Sequence, residues 1–307
     1  MTRALVIGYG SIGQRHARVL TALGHDVAVM SRRAVEFPVR FGEMTAALTD
    51  FAPDYVVIAN ETSAHRAVLA ELERSGYGGT MLVEKPLFER VCSGDHIDIP
   101  RVFVAYNMRF HPLLRRLREW LCGREPISAT IRVGQHLSTW RPGRDFRTTY
   151  SARRELGGGV LRDLSHELDY MLWLFGNWRR TTALGGASGA LGIDSDDHWS
   201  MLVECARCPQ VSISLSYLDA TPRRDVVVNT HEGSAAVDFV AGTFVADGGA
   251  TRECVSLDRD ETYRLQHQAV LAGRAGEACS YAEGYATVRL IEAIERSAAQ
   301  RAWISPA

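Results

Sequence analysis

Short apolar runs and amphipathic stretches alternate along the first hundred residues. Leu5-Val6-Ile7, Val27-Ala28-Val29-Met30, Tyr55-Val56-Val57-Ile58-Ala59, Met81-Leu82-Val83 and Val102-Phe103-Val104-Ala105 are near-continuous apolar runs, the pattern of strands buried on both faces. Helical patterns lie between them, from Ile12 to about Leu23 and from Ser63 to Arg74, with Ser63 placed as an N-cap. Strand and helix in alternation predict a parallel sheet covered on both sides. The stretch Leu87 to Arg101 is too short and too broken, by Gly94 and Pro100, for a full crossover helix.

After about Pro112 the pattern changes. A helix is expected from Leu113 to Leu121, a long strand from Ile127 to Leu137, and a polar loop rich in arginine and aromatics from Ser138 to Arg154. Gly157-Gly158-Gly159 leads into an apolar helix expected from Val160 to Phe175. Strands follow at His198 to Glu204, Gln210 to Tyr217, Asp225 to Asn229 and Ala235 to Phe239. In the second of these, Val211, Ile213 and Leu215 alternate with serines, so the sheet has one buried face. Helices at Glu261 to Ala272 and Tyr281 to about Ala299 close the chain. The reading is α/β: an N-terminal Rossmann-type domain over 1–112, and a C-terminal α+β domain over 113–307 with a large, open, mostly antiparallel sheet.

Composition narrows the classes. At 307 residues the chain is long enough for these two domains. Its 35 basic and 36 acidic side chains leave a net charge of -1, without the basic footprint of a nucleic-acid binder. No apolar run approaches the roughly 18–20 residues of a membrane span, and the N-terminus lacks a signal peptide's apolar core, so a cytoplasmic location is expected. Cys205-Ala206-Arg207-Cys208 has CxxC spacing, but a structural zinc needs two more ligands and no second pair is visible, so no metal site is expected.

Gly8-Tyr9-Gly10-Ser11-Ile12-Gly13 is a GxGxxG directly after a strand and opening a helix. Glycines there permit a tight turn, close backbone approach to a pyrophosphate and close helix packing, while the helix N-terminus offers free N–H groups. The second strand ends not in an acid for ribose hydroxyls but in Ser31-Arg32-Arg33. A hydroxyl and two guanidinium groups suit a 2′-phosphate, so NADP is favoured, with NAD as the alternative. Glu84-Lys85-Pro86 follows the strand Met81-Leu82-Val83, which puts Lys85 at a strand's C-terminal end, facing the ligand crevice. A lysine beside a nicotinamide can bind a substrate oxygen and pass its proton.

These motifs, with Ala59-Asn60-Glu61-Thr62-Ser63-Ala64-His65, Tyr106-Asn107-Met108-Arg109-Phe110-His111-Pro112 and the glycine-led helix, stand in an order that resembles the glucose–fructose oxidoreductase, inositol dehydrogenase and rhizopine-catabolism (Gfo/Idh/MocA) family. The resemblance implies reversible hydride transfer between NAD(P) and a carbon of a sugar, sugar derivative or cyclitol. It implies Lys85 as the catalytic proton donor and acceptor, with Asp163 and His166 as catalytic partners that contact substrate. Here Asp163 and His166 are three positions apart where the family has four; without a one-residue deletion, Glu167 takes the histidine's place. Asn60, Thr62, His65, Glu84 and Lys85 fall at the cofactor, joining Gly8, Gly10, Ser11, Ile12, Gly13, Ser31, Arg32 and Arg33. Asn107, Arg109, Trp140, Arg147 and Tyr150 fall at the substrate beside Lys85, Asp163 and His166. The loop from Leu137 to Ala152 resembles a branch tied to surface-glycan and sialic-acid-like sugars; Trp140 suits a sugar face, and Arg141, Arg144 and Arg147 suit a carboxylate or phosphate. Association into a homodimer or homotetramer through the C-terminal sheet is expected. Other readings are reduction of a non-sugar carbonyl or an unsaturated ring, and a non-catalytic NADP-binding regulator or scaffold.

Overall fold

The computed structural model describes residues 1–94, 101–274 and 276–306. The chain forms β1 (Arg3–Ile7), α1 (Ser11–Ala22), β2 (Asp26–Met30), β3 (Arg40–Phe41), α2 (Met44–Ala46), β4 (Tyr55–Ile58), α3 (His65–Arg74), β5 (Thr80–Val83) and β6 (Val102–Val104). Then come α4 (Pro112–Trp120), β7 (Pro126–Gly134), α5 (Val160–Asp163), α6 (His166–Phe175), β8 (Trp178–Gly186), β9 (His198–Cys205), β10 (Gln210–Ser216), β11 (Arg223–Thr230), β12 (Ser234–Asp238), β13 (Thr243–Ala246) and β14 (Thr251–Cys254). The last elements are α7 (Glu261–Leu271), β15 (Cys279–Ser280) and α8 (Tyr281–Gln300).

Two compact units result. The first is Met1–Phe110 with Asp258–Tyr285, the second His111–Leu257 with Ala286–Ala307. The first boundary falls two residues before the expected end at 112. The stretch 258–285, which the sequence pattern groups with the second domain, belongs to the first unit because β15 pairs with β6 and α7 packs against α1.

The first unit holds one sheet in the order β15-β6-β5-β4-β1-β2-β3, parallel except for β15. From β6 to β3 this is the doubly wound Rossmann order, with its reversal between β1 and β4. Leu5, Val6, Val56, Val57, Ile58, Met81, Leu82 and Val83 are fully buried, as uninterrupted apolar strands require. α3 starts at His65, after a 3₁₀ turn over Thr62–Ala64, with no side-chain cap, so Ser63 is not the N-cap. Among the described residues, no helix stands between Lys85 and Gly94; the remainder of the expected irregular crossover, 95–100, lies outside them.

The second unit holds the eight-stranded sheet β14-β13-β12-β11-β7-β10-β9-β8, antiparallel except where β10 runs parallel to β7. One face is buried by Ala129, Ile131, Val133, Met201, Val203, Val211, Ile213 and Leu215, and α4, α5 and α6 pack against this sheet. The opposite face carries Leu184 and Leu202, both exposed. The helix expected over 160–175 is two helices, α5 and α6, broken at Leu164-Ser165. The apolar pattern continues through the break, so periodicity does not register it. Cys205 and Cys208 close the β9–β10 hairpin, the Cys205 N–H donating to the Cys208 carbonyl at 2.9 Å, and burial pushes the Cys205 thiol up to about 12. Among the described residues no helix is long and apolar enough to cross a membrane, and no cluster of three or more His, Cys, Asp or Glu is placed to hold a metal.

Candidate functional site

The first unit forms a glycine-lined turn at the reversal of its sheet, where the sequence places the cofactor. Gly8 leaves β1 at φ +93°, and a Cβ there would lie 2.6 Å from the Asn60 nitrogen at the end of β4. A Cβ on Gly13 would collide with the Gly8 carbonyl, so this glycine sets how closely α1 approaches the turn. Gly10, the α1 N-cap, is different: a Cβ would meet nothing within 4 Å. Close backbone packing at the outer glycines and open space at the middle one fit a pyrophosphate laid on the N-terminus of α1, past Ser11 and Ile12. Ser31 Oγ accepts from the Arg33 N–H at 3.1 Å, fixing the turn after β2. Arg32 and Arg33 are exposed there, with no ion pair among the described residues.

Around the ends of β4 and β5, Thr62 and His65 are buried. The His65 ring lies between the Leu87 and Asn60 carbonyls, at 3.1 and 3.3 Å. Lys85 is half-buried, and its bond to Pro86 is cis. It is the only lysine in a chain with 34 arginines. Its backbone N–H donates to Glu84 Oε2 at 3.1 Å. Burial alone would raise the Glu84 carboxyl, but a hydrogen bond from His16 and the charge of the neighbouring Lys85 hold it below its usual value. The sequence reading did not include His16, which lies 2.8 Å from Glu84 Oε1; its position three residues after Gly13, inside α1, was the available signal. Asn107 and Arg109 are engaged within this unit: Asn107 Nδ2 donates to Thr262 Oγ1 at 2.8 Å, and the buried Arg109 pairs with Glu283 at 2.8 Å.

Buried histidines give this unit a pH signature. Burial lowers the pKa of His65, and lowers that of His267 well below 6.5. Both therefore take up protons at lower pH in the folded chain than in the unfolded chain, which binds them as pH falls through about 6.5. Stability is therefore present above that pH and falls as pH drops through it, by up to about 1.4 kcal/mol per pH unit for each histidine. Glu84 and Glu283, held below 4.5, add to this only in stronger acid. The thermal midpoint is expected to drop between pH 7 and pH 5; a flat response over that interval counts against neutral burial of these rings.

In the second unit, Gly159 at φ +122° lets the start of α5 sit against Asp196, where a Cβ would collide. Asp196 accepts from the Leu161 N–H at 2.9 Å and from Trp199 Nε1 at 2.8 Å. This anchors α5 and with it Asp163, which accepts from the Tyr217 hydroxyl at 2.6 Å. Trp140 meets Tyr217 edge to face at 5.2 Å, so three aromatic and acidic residues from distant positions come together. His166 opens α6 and is half-buried, whereas the next residue, Glu167, is fully buried and accepts from Arg224 at 2.8 Å. Tyr150 donates to the Gly157 carbonyl at 2.7 Å, and Arg147 stays exposed over the Phe146 ring.

Residues 125–236 match the GFO/IDH/MocA C-terminal domain. No curated protein matches the chain in sequence. Solved structures share its fold over nearly its whole length. GenD2 from gentamicin A biosynthesis, in complex with NAD, is 23% identical, covering 100% of this chain and 96% of that one, with a TM-score of 0.79. Levoglucosan dehydrogenase with NADH and levoglucosan is 16% identical, covering 100% and 99%, with a TM-score of 0.84. The UDP-N-acetylglucosamine 3-dehydrogenase GnnA from Acidithiobacillus ferrooxidans is 21% identical, covering 96% and 97%, with a TM-score of 0.79. The α/β fold, a Rossmann-like N-terminal part followed by a large sheet domain, is the one these proteins share.

Proposed function

We propose that the chain is a nicotinamide-dependent oxidoreductase that moves a hydride between NADP(H) and a hydroxyl-bearing carbon of a sugar, sugar derivative or cyclitol. The observation that carries this reading is the single lysine, held at the C-terminal end of a Rossmann strand beside a buried carboxylate. Elsewhere arginine supplies the basic charge, but arginine does not give up its proton near neutral pH and lysine does. A lysine kept at this one position suits a group that must transfer a proton.

The nicotinamide supplies the hydride acceptor or donor. Lys85 binds the reacting oxygen, takes the hydroxyl proton as C–O becomes C=O, and returns it in the reverse direction. Asp163 and His166 bind substrate hydroxyls. His166 is preferred to Glu167 because the Glu167 carboxylate is buried against Arg224. Arg141, Arg144 and Arg147, exposed on the loop after β7, favour a substrate with a carboxylate or phosphate, in line with the surface-glycan branch. The exposed Leu184 and Leu202 on the outer sheet face suit association with a second copy.

Turnover on a panel of sugars, sugar acids and nucleotide sugars, followed by nicotinamide absorbance, tests the reaction. Cofactor binding without turnover on any of them would favour a non-catalytic regulator. NADPH is expected to bind at least about tenfold more tightly than NADH, the value of one charge-assisted phosphate contact. Replacing Arg32 and Arg33 together by alanine is expected to remove that preference in a fluorescence titration. An NADH preference in the unaltered protein would overturn the assignment of these arginines and bring the chain into line with the NAD-bound GenD2.

A further inference from the structure

Behind Glu84 the first unit buries a run of polar side chains that the proposed reaction does not use. His16 Nδ1 lies 2.9 Å from His267 Nε2, and His267 Nδ1 lies 2.9 Å from the Tyr55 hydroxyl. The residues come from α1, α7 and β4, and His16, His267 and Tyr55 are all 0% exposed. Water does not reach them, so each donor needs its acceptor inside the group.

That requirement fixes the direction of every bond. His267 is the hydrogen-bond partner of Tyr55 Oη, so the buried O–H donates to His267 Nδ1. His267 is neutral, and with Nδ1 accepting, its proton is on Nε2 and is donated to His16 Nδ1. The His16 proton is then on Nε2 and goes to Glu84 Oε1, a carboxylate that can only accept. The bonds run one way, Tyr55 to His267 to His16 to Glu84, and the other Glu84 oxygen accepts the Lys85 backbone N–H.

We propose that Tyr55, His267 and His16 are positioning residues that hold the Glu84 carboxylate in place beside Lys85, and so set the reactivity of the lysine amine. The inference rests on the reading of Lys85 as the proton-transfer group. A lone buried carboxylate would take up a proton or turn toward water. Three aligned donors, each polarised by the next, keep it ionised and fixed. Its charge and that of Lys85 attract each other, which holds the lysine side chain near the end of β5.

The test uses the intact protein and two readouts. Because Lys85 is the only lysine, an amine-selective acylating reagent gives one side-chain adduct, whose rate of formation mass spectrometry follows separately from the N-terminal amine. Tyr55→Phe removes one hydroxyl and little volume; His267→Leu breaks the chain; His267→Gln keeps an acceptor for Tyr55 and a donor for His16. Tyr55→Phe and His267→Leu are expected to speed Lys85 labelling about threefold or more and to lower kcat about tenfold, as loss of a hydrogen bond supporting a charged group predicts. NADPH affinity should stay within about twofold, since the phosphate cradle is untouched. His267→Gln should restore both values. Unchanged labelling and kcat in Tyr55→Phe, with only a lower melting temperature, would overturn the proposal. If the unaltered protein turns over no sugar, the reading of the reaction fails, yet the labelling rates still decide whether the chain governs Lys85.

Discussion

Turnover of a Lys85→Arg variant is expected to fall by about a thousandfold, within the usual range for loss of a general acid–base group. The substitution keeps the positive charge at the end of β5, so a role for Lys85 as a simple electrostatic anchor predicts a mild effect. A role in proton transfer predicts a severe one, because guanidinium does not release its proton. Lys85→Ala should be as slow or slower. NADPH affinity measured by fluorescence should change little in either variant, since the glycine turn proposed to hold the phosphates, at Gly8, Gly10 and Gly13, is unaltered. Near-normal kcat in Lys85→Arg would remove Lys85 from the chemistry.

Gly13→Ala should have the second large effect, on the fold rather than the reaction. The new methyl would collide with the Gly8 carbonyl, which is backbone and cannot rotate aside. Either α1 moves away from the turn or the turn itself shifts, at a cost of about 2–4 kcal/mol, as for overpacking combined with backbone strain. Gly10→Ala is the control. Its φ of -75° suits any residue, and its Cβ meets nothing. Stability should change by less than about 0.5 kcal/mol, while cofactor affinity drops because the methyl occupies the phosphate's approach. Equal melting temperatures for the two variants would argue against this account of the glycines.

The parts of the fold legible in the sequence are those that local pattern controls. β1, β2, β4, β5 and β6 appear as uninterrupted apolar runs because burial on both faces leaves no polar position to blur them. The glycine turn and the Glu84-Lys85-Pro86 turn are legible because each is a short motif set directly at the end of an apolar strand. β8 was missed: it is an edge strand, begins Trp178-Arg179-Arg180 and ends in two glycines, so its alternation is poor. The break between α5 and α6 was hidden by apolar residues on both sides of it. The link between His16 and His267 spans 251 positions, and nothing local marks either residue as a partner of the other. Arg109 stands in a motif that the resemblance assigns to substrate, yet its guanidinium is buried against Glu283, a pairing set by tertiary structure alone.

The first unit is discontinuous in sequence, and this bears on how the protein is made. A ribosome that has reached Phe110 has delivered the whole parallel part of the sheet, but not α7, β15 or Glu283. Until residues 258–285 emerge, Tyr55 and His16 lack His267, and Arg109 lacks its carboxylate partner. The glycine turn and the parallel strands are therefore encoded at the start of the chain, while their supports come from the last fifth, after every strand of the second sheet has been synthesised. A nascent chain must carry an unfinished first unit through most of translation, and a gene fragment ending near residue 110 would encode that unit without the Glu283 carboxylate that pairs with Arg109.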